Sequence, residues 1–129
     1  MSIRVEIPVG DFLDKLTILE IKAERIRDPD KLTNIHRELD VLRETWKASP
    51  YFGQDITTEY TELKTVNERL WDIEDDIRDE ERTRSFGERF IELARAVYLI
   101  NDRRAEIKRL LNLKLGSTLV EEKSYREYR

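Results

Sequence analysis

The densest reactive stretch is Trp71-Asp72-Ile73-Glu74-Asp75-Asp76-Ile77-Arg78-Asp79-Glu80-Glu81, which packs seven carboxylates into eleven residues. Hard cations such as magnesium take oxygen ligands of this kind. On a helix, however, Asp72, Asp75 and Asp79 project away from the apolar positions Ile73 and Ile77. Only Glu74, Asp76, Glu80 and Glu81 flank those positions. The plain reading is a solvated acidic face tempered by Arg69, Arg78, Arg82 and Arg84. Neither a metal site nor a cofactor is expected.

A second cluster is Asn101-Asp102-Arg103-Arg104. Val97 and Ile100 set an apolar stripe, and Arg104 stands four residues on, where another apolar side chain is due. A charge in such a position is costly unless it is paired. One reading is a register-setting ion pair, with Asp14, Glu20 or Glu74 as partner. The other is a basic pocket in which Arg103, Arg104 and Lys108 share a phosphate or carboxylate ligand. Further up the chain, Lys15 and Lys22 border one side of an apolar stripe and Glu20 borders the other. A bundle lined this way can hold a small anion, as in chorismate mutases of the helical class, though the arginine spacing of that class is absent here. Charges that snorkel past the stripe are the ordinary alternative. The candidate ligand-binding set is therefore Lys15, Glu20, Lys22, Glu74, Asp102 and Arg104, with no residue assigned a catalytic role.

Other chemistries find little support. Glu59-x-x-Glu62 matches half of the metal-binding pattern of all-α nucleotide pyrophosphohydrolases, but the required Glu-x-x-Asp occurs nowhere in the chain. His36 is the single histidine and there is no cysteine, so paired histidine or thiolate metal sites and disulfides are excluded. Neither a Gly-x-Ser-x-Gly elbow nor a glycine-rich phosphate loop is found.

These residues must be positioned by helices. Within Asp11 to Arg27, DFLDKLTILEIKAERIR, the residues Phe12, Leu16, Leu19, Ala23 and Ile26 repeat at four and three. Leu13, Ile18 and Ile21 add a second apolar side. A helix apolar on two sides needs neighbours on two sides, which predicts a central rod, with Asp11 as its N-cap. Asp28-Pro29 opens a second helix carrying Leu32, Ile35, Leu39, Leu42 and Trp46. Ser49 to Asp55 reads as a loop whose Tyr51 and Phe52 tuck over the bundle end. A third helix, from about Thr57 to Arg82, has Tyr60, Leu63, Val66, Leu70, Ile73 and Ile77 as its stripe. Ser85-Phe86-Gly87-Glu88 fits a capping box before a fourth helix, Phe86 to about Lys114, with Phe90, Leu93, Val97, Ile100, Ile107 and Leu111 inward. Gly116 fits a left-handed terminator. Ile3, Val5 and Ile7 alternate with polar residues, the pattern of a short extended arm, and residues beyond Gly116 form a tail.

Composition agrees with this. Charged residues make up 40% and hydrophobic ones 39% of 129 residues, with four glycines and three prolines, as expected of long exposed helices. The fold class is all-α: one domain, 1–129, of four long antiparallel helices. A net charge of −4 argues against whole-surface attraction to nucleic acid. MSIRVEIPVG lacks the apolar core of a signal peptide, and no run reaches the roughly 18 apolar residues of a membrane span. A cytoplasmic location is expected, without a membrane span. The uncovered arm, Leu119-Val120 and a long fourth helix point to a homodimer.

Four segments, GDFLDKLTILEIKAERI, LWDIEDDIR, ARAVYLINDRRAEIKRLLN and LGSTLVEEKSY, together carry a resemblance. They resemble a family of short helical proteins from bacteria and their phages, found near surface-polysaccharide and glycosyltransferase genes. That family brings no established activity and hence no catalytic residue. The resemblance implies that the polar stretches and the Glu-Glu-Lys-Ser-Tyr tail belong to the family pattern. The expected role is a non-catalytic interaction or accessory module, with a protein partner possible. The alternative is a small all-α enzyme or binding protein for an anionic phosphorylated or carboxylated molecule.

Overall fold

The structure, a computed structural model, describes residues 2–128. Its helices are α1 (Val9–Arg25), α2 (Pro29–Lys47), α3 (Thr57–Arg82) and α4 (Glu88–Leu115), and the described residues contain no strand. The rod is α1. It packs against each of the other three helices, α3 packs against α4, and α2 meets α1 alone. Two apolar sides make this possible: Leu13 and Ile21 are each only 1% exposed, and Leu16 and Leu19 are buried with them. One continuous cluster joins Leu13, Leu16 and Leu19 to Leu39 of α2, to Leu63 and Leu70 of α3, and to Ile107 and Leu111 of α4. Cross-helix ion pairs join Glu59 to Lys114, Glu62 to Arg103 and Asp76 to Arg89, so the order along α4 is the reverse of that along α3.

The helix ends are where local reading and structure part. α2 begins as expected, with Asp28 Oδ1 accepting from the amides of Asp30 (2.9 Å) and Lys31 (3.3 Å) ahead of Pro29. Gly116 terminates α4 at φ 67°, and the Ser117 amide donates back to the Asn112 carbonyl at 2.8 Å. The start of α1 differs. Pro8, not Asp11, is the N-cap, and it offers no side-chain acceptor. The free amides are taken by the far end of the chain instead: Gly10 donates to Asn112 Oδ1 at 2.6 Å and Val9 to Ser117 Oγ at 3.3 Å. Caps delivered from 102 and 108 residues away leave no local sequence signature.

The capping box before α4 is also absent. α4 starts at Glu88 after Gly87, without a side-chain cap, and the Ser85 hydroxyl lies 2.9 Å from that of Thr83 instead. Arg84, at φ 54°, supplies the left-handed turn that closes α3, and this pulls Ser85 back so that its amide donates to the Glu80 carbonyl. In the 48–56 connection Tyr51 packs on the core and stacks on Trp46, which stacks in turn on Phe12. Phe52 does not tuck in with it and is 58% exposed. Ile3 and Val5 are exposed along an arm that forms no regular structure.

Gly10 marks the closest approach of α1 to α4. A Cβ at this position would stand 2.4 Å from the Lys108 carbonyl oxygen, which is backbone and cannot swing away. Alanine normally gains about 1 kcal/mol over glycine within a helix. Here the sign should reverse: Gly10→Ala is expected to lower stability by about 1–3 kcal/mol, as overpacking does. Urea unfolding followed by circular dichroism measures this, and an unchanged or higher midpoint would show that the two helices are not in such contact.

Candidate functional site

The polar centre of the molecule is built on Asp14, a carboxylate on the inner side of α1 that is 5% exposed. Arg104 of α4 reaches it with two donors, Nε to Oδ1 at 2.9 Å and Nη2 to Oδ2. Asn67 of α3 donates through Nδ2 to the same Oδ1 and to Thr17 Oγ1, each at 2.9 Å. The Thr17 hydroxyl completes the circuit by donating to the Asp14 carbonyl at 2.7 Å. Hydrogen bonding to Asp14 holds the Arg104 guanidinium above its already high range, against the burial that opposes it. One turn further along α4, Lys108 Nζ lies 2.9 Å from both Asp11 Oδ1 and Glu121 Oε2. The Asp11 contact is an ion pair outside hydrogen-bond angles, so that buried oxygen accepts no hydrogen bond. Burial works to lower the Lys108 ammonium, but Glu121 and Asp11 together hold it above its usual range.

Chemically this is a closed account. Both Asp14 oxygens accept from donors inside the protein, and arginine does not give up its proton at working pH. The ion-pair reading of Arg104, with Asp14 as partner, is the arrangement found. Arg103 turns away to Glu62 and to Glu106 (3.0 Å), so Arg103, Arg104 and Lys108 each take their own carboxylates and share no common anion site.

The remaining candidates are dispersed. Lys15 pairs with Glu38 of α2 at 3.0 Å on an exposed face. Glu74 pairs with Arg78 on its own helix. Asp102 accepts from the Tyr128 hydroxyl at 2.5 Å, which brings the tail back along α4. Lys22 is half-buried on α1 and joins none of these groups. In the acidic run, Asp72 pairs with Arg25 (2.6 Å), Asp76 with Arg89 (3.3 Å) and Asp79 with Arg82 (3.5 Å). Glu20 lines an open hollow of about 390 Å³ between α1, α2 and the start of α3, which the other five do not line. There it accepts the Tyr60 hydroxyl on Oε1. Burial pushes the Glu20 carboxyl above its ordinary value, with Lys64 and Arg43 opposing that rise.

A family model matches residues 3–128. The chain belongs to DUF6165, a family of unknown function. Within this DUF6165 chain the match takes in α1 to α4, the Asp14 centre and the cavity beside Glu20. No curated protein and no solved structure matches the chain.

Thr17, Asn67 and Asn112 are the buried polar residues that reading by hydrophobic stripe passes over. A signal was present for two of them. Asn67 sits four after Leu63 and three before Leu70, and Thr17 sits midway between Leu13 and Ile21. A polar residue within an apolar stripe is the usual mark of a buried hydrogen-bonded network.

Two outcomes follow from this chemistry. Arg104→Met strands a buried carboxylate and is expected to cost about 3–5 kcal/mol. Adding Asp14→Asn should recover at least about 1 kcal/mol of that loss, since the pair is coupled. Chemical denaturation of the four proteins of this cycle reads the coupling, and strict additivity would refute it. Glu20 has the opposite character. An acid whose folded-state value is raised stabilises the fold when protonated, and loses that contribution as pH rises through the raised value. Relative to the parent, Glu20→Gln should therefore gain stability as pH climbs from below 4.5 toward 7. A stability difference independent of pH would contradict the assignment.

Proposed function

We propose that this chain is a non-catalytic helical interaction or accessory module that acts as a cytoplasmic homodimer, in the setting of bacterial or phage surface-polysaccharide biosynthesis. The observation that carries the non-catalytic reading is the fate of the charges. Asp14 and Arg104 are spent on each other, Lys15, Glu74 and Asp102 each have a separate partner, and none of these lines the hollow beside Glu20. A catalytic centre needs several reactive groups converging on one substrate-sized space. The resemblance of the four quoted segments supports the cellular setting.

The dimer reading rests on apolar surface. Ile91, Tyr98 and Leu113 are exposed on the side of α4 opposite Ile100, Ile107 and Leu111 in the core, and Leu99 and Leu110 are exposed on its flank. Ile3 and Val5 stand free at 94% and 78% exposure. A second copy covers both surfaces most economically by two-fold symmetry. Glu20 and its cavity favour a second reading, in which the chain binds a small molecule.

Sedimentation equilibrium at tens of micromolar should give twice the 15.5 kDa chain mass. Leu99→Asp with Leu110→Asp alters exposed positions only, so helicity should be kept while dissociation strengthens at least tenfold, about 1.4 kcal/mol. Deleting residues 1–7 reports separately on the arm. A 15.5 kDa species for the unmodified protein refutes the dimer.

A further inference from the structure

The cavity beside Glu20 differs from the rest of the polar structure because its groups are not used up. Glu20 accepts Tyr60 on one oxygen, and no donor from the described residues reaches the other. Arg43, an exposed residue that also lines the hollow, makes no hydrogen bond or ion pair through its guanidinium among the described residues, and its charge opposes the rise of the Glu20 carboxyl. The Gln54 amide and the Thr61 hydroxyl, both lining residues, are likewise without side-chain partners there. The rest of the lining is largely apolar, formed by Leu13, Leu16, Trp46 and Ile56. The hollow of about 390 Å³ falls within the range of small-ligand sites, which combine an apolar body with a few convergent polar groups.

The balance of charge selects among ligands. The lining holds one carboxylate and one guanidinium, so it is neutral in sum. A carboxylate or phosphate ligand would gain from Arg43 and be opposed by Glu20. An ammonium would gain from Glu20 and be opposed by Arg43. An uncharged ligand escapes both penalties if one edge carries an N–H for the carboxylate and a carbonyl or ring nitrogen for the guanidinium. Two such charge-assisted bonds are the strong kind. The aliphatic side chains and the Trp46 ring of the lining suit the faces of a flat ring.

We propose that this cavity binds an uncharged planar heterocycle with adjacent N–H donor and carbonyl acceptor on one edge, the edge chemistry of a lactam nucleobase such as guanine. Glu20 accepts from the ring N–H, Arg43 donates to the ring carbonyl, and Leu13, Leu16 and Ile56 cover one face. The site is independent of the dimer surface on α4, so the two are tested separately.

The test is calorimetric titration of the full-length protein with guanosine, with adenosine, and with benzoate and benzylamine as an anion and a cation of similar breadth. Guanosine should bind saturably and at least tenfold more tightly than any of the other three. Glu20→Gln and Arg43→Gln should each weaken it at least tenfold. Thr61→Phe fills the mouth from an exposed position and should abolish binding with helicity unchanged, so a poorly folded Glu20→Gln would not remove the test. Glu38→Gln, outside the cavity, should bind as the parent does. No heat up to millimolar guanosine overturns the proposal, as does preference for either charged probe or affinity untouched by Arg43→Gln and Thr61→Phe. The sedimentation result bears on none of these outcomes.

Discussion

The burial of Asp14 constrains everything around it. A carboxylate taken out of water loses several kcal/mol of solvation, and only close, well-directed donors offset that loss. The donors come from two other helices, Arg104 from α4 and Asn67 from α3. Sliding either helix by one turn would strip Asp14 of a partner, and sliding α4 would also separate the Arg104 charge from its carboxylate. Leucine and isoleucine contacts tolerate such a slide far better, because hydrophobic attraction is non-directional. The apolar cluster supplies most of the stability, while the Asp14 circuit selects one packing from the many that cluster would permit.

Two of these helices, α1 and α4, are tied a second time at the start of α1. There Asn112 caps Gly10, Ser117 caps Val9, and Lys108 pairs with Asp11. Gly10 is what lets the helices come close enough for these bonds, since any side chain there meets the Lys108 carbonyl. The tail shares in this arrangement. Glu121 pairs with Lys108 and Glu122 with Arg109 at 3.2 Å, while Tyr128 packs edge-on against Tyr98. First and last helical segments are thus held through a handful of polar contacts at one end of the bundle, while α2 hangs on α1 alone.

This division separates structural polarity from polarity available to a ligand. Both carboxylate oxygens of Asp14 are met from within, so the centre specifies packing. Around Glu20 the hollow is open and the opposing guanidinium unspent, so recognition is possible there. Family membership extends over both regions and does not decide between them. Solvation decides: a saturated, buried network has nothing left to offer a ligand, whereas a half-buried carboxylate beside an open cavity has.

Much of the architecture was legible in the residues. The two apolar sides of α1, its central place, the Asp28 start of α2, the extent of α3 and the Gly116 stop all follow from periodicity and from rules that act within one turn. The pairing of Arg104 with one of three named acids was legible as well, because a charge in an apolar stripe must find a partner. Which acid it takes, and that Asn67 and Thr17 join it, depended on the register of three helices against one another. The starts of α1 and α4 were misplaced for a related reason. Asp11 and Ser85 have the right chemistry for caps, but Asn112 and Ser117 reach the first amides of α1 from across the fold, and Arg84 turns Ser85 aside. The cavity beside Glu20 depends on packing too: Glu20, Arg43 and Thr61 stand on three different helices, and their spacing along the chain carries no trace of the hollow they enclose. Sequence alone determined the helices and their buried faces, because those depend on neighbours three and four residues away. Tertiary structure alone decided how the polar groups were shared out, because hydrogen bonds demand positions that only the assembled helices provide.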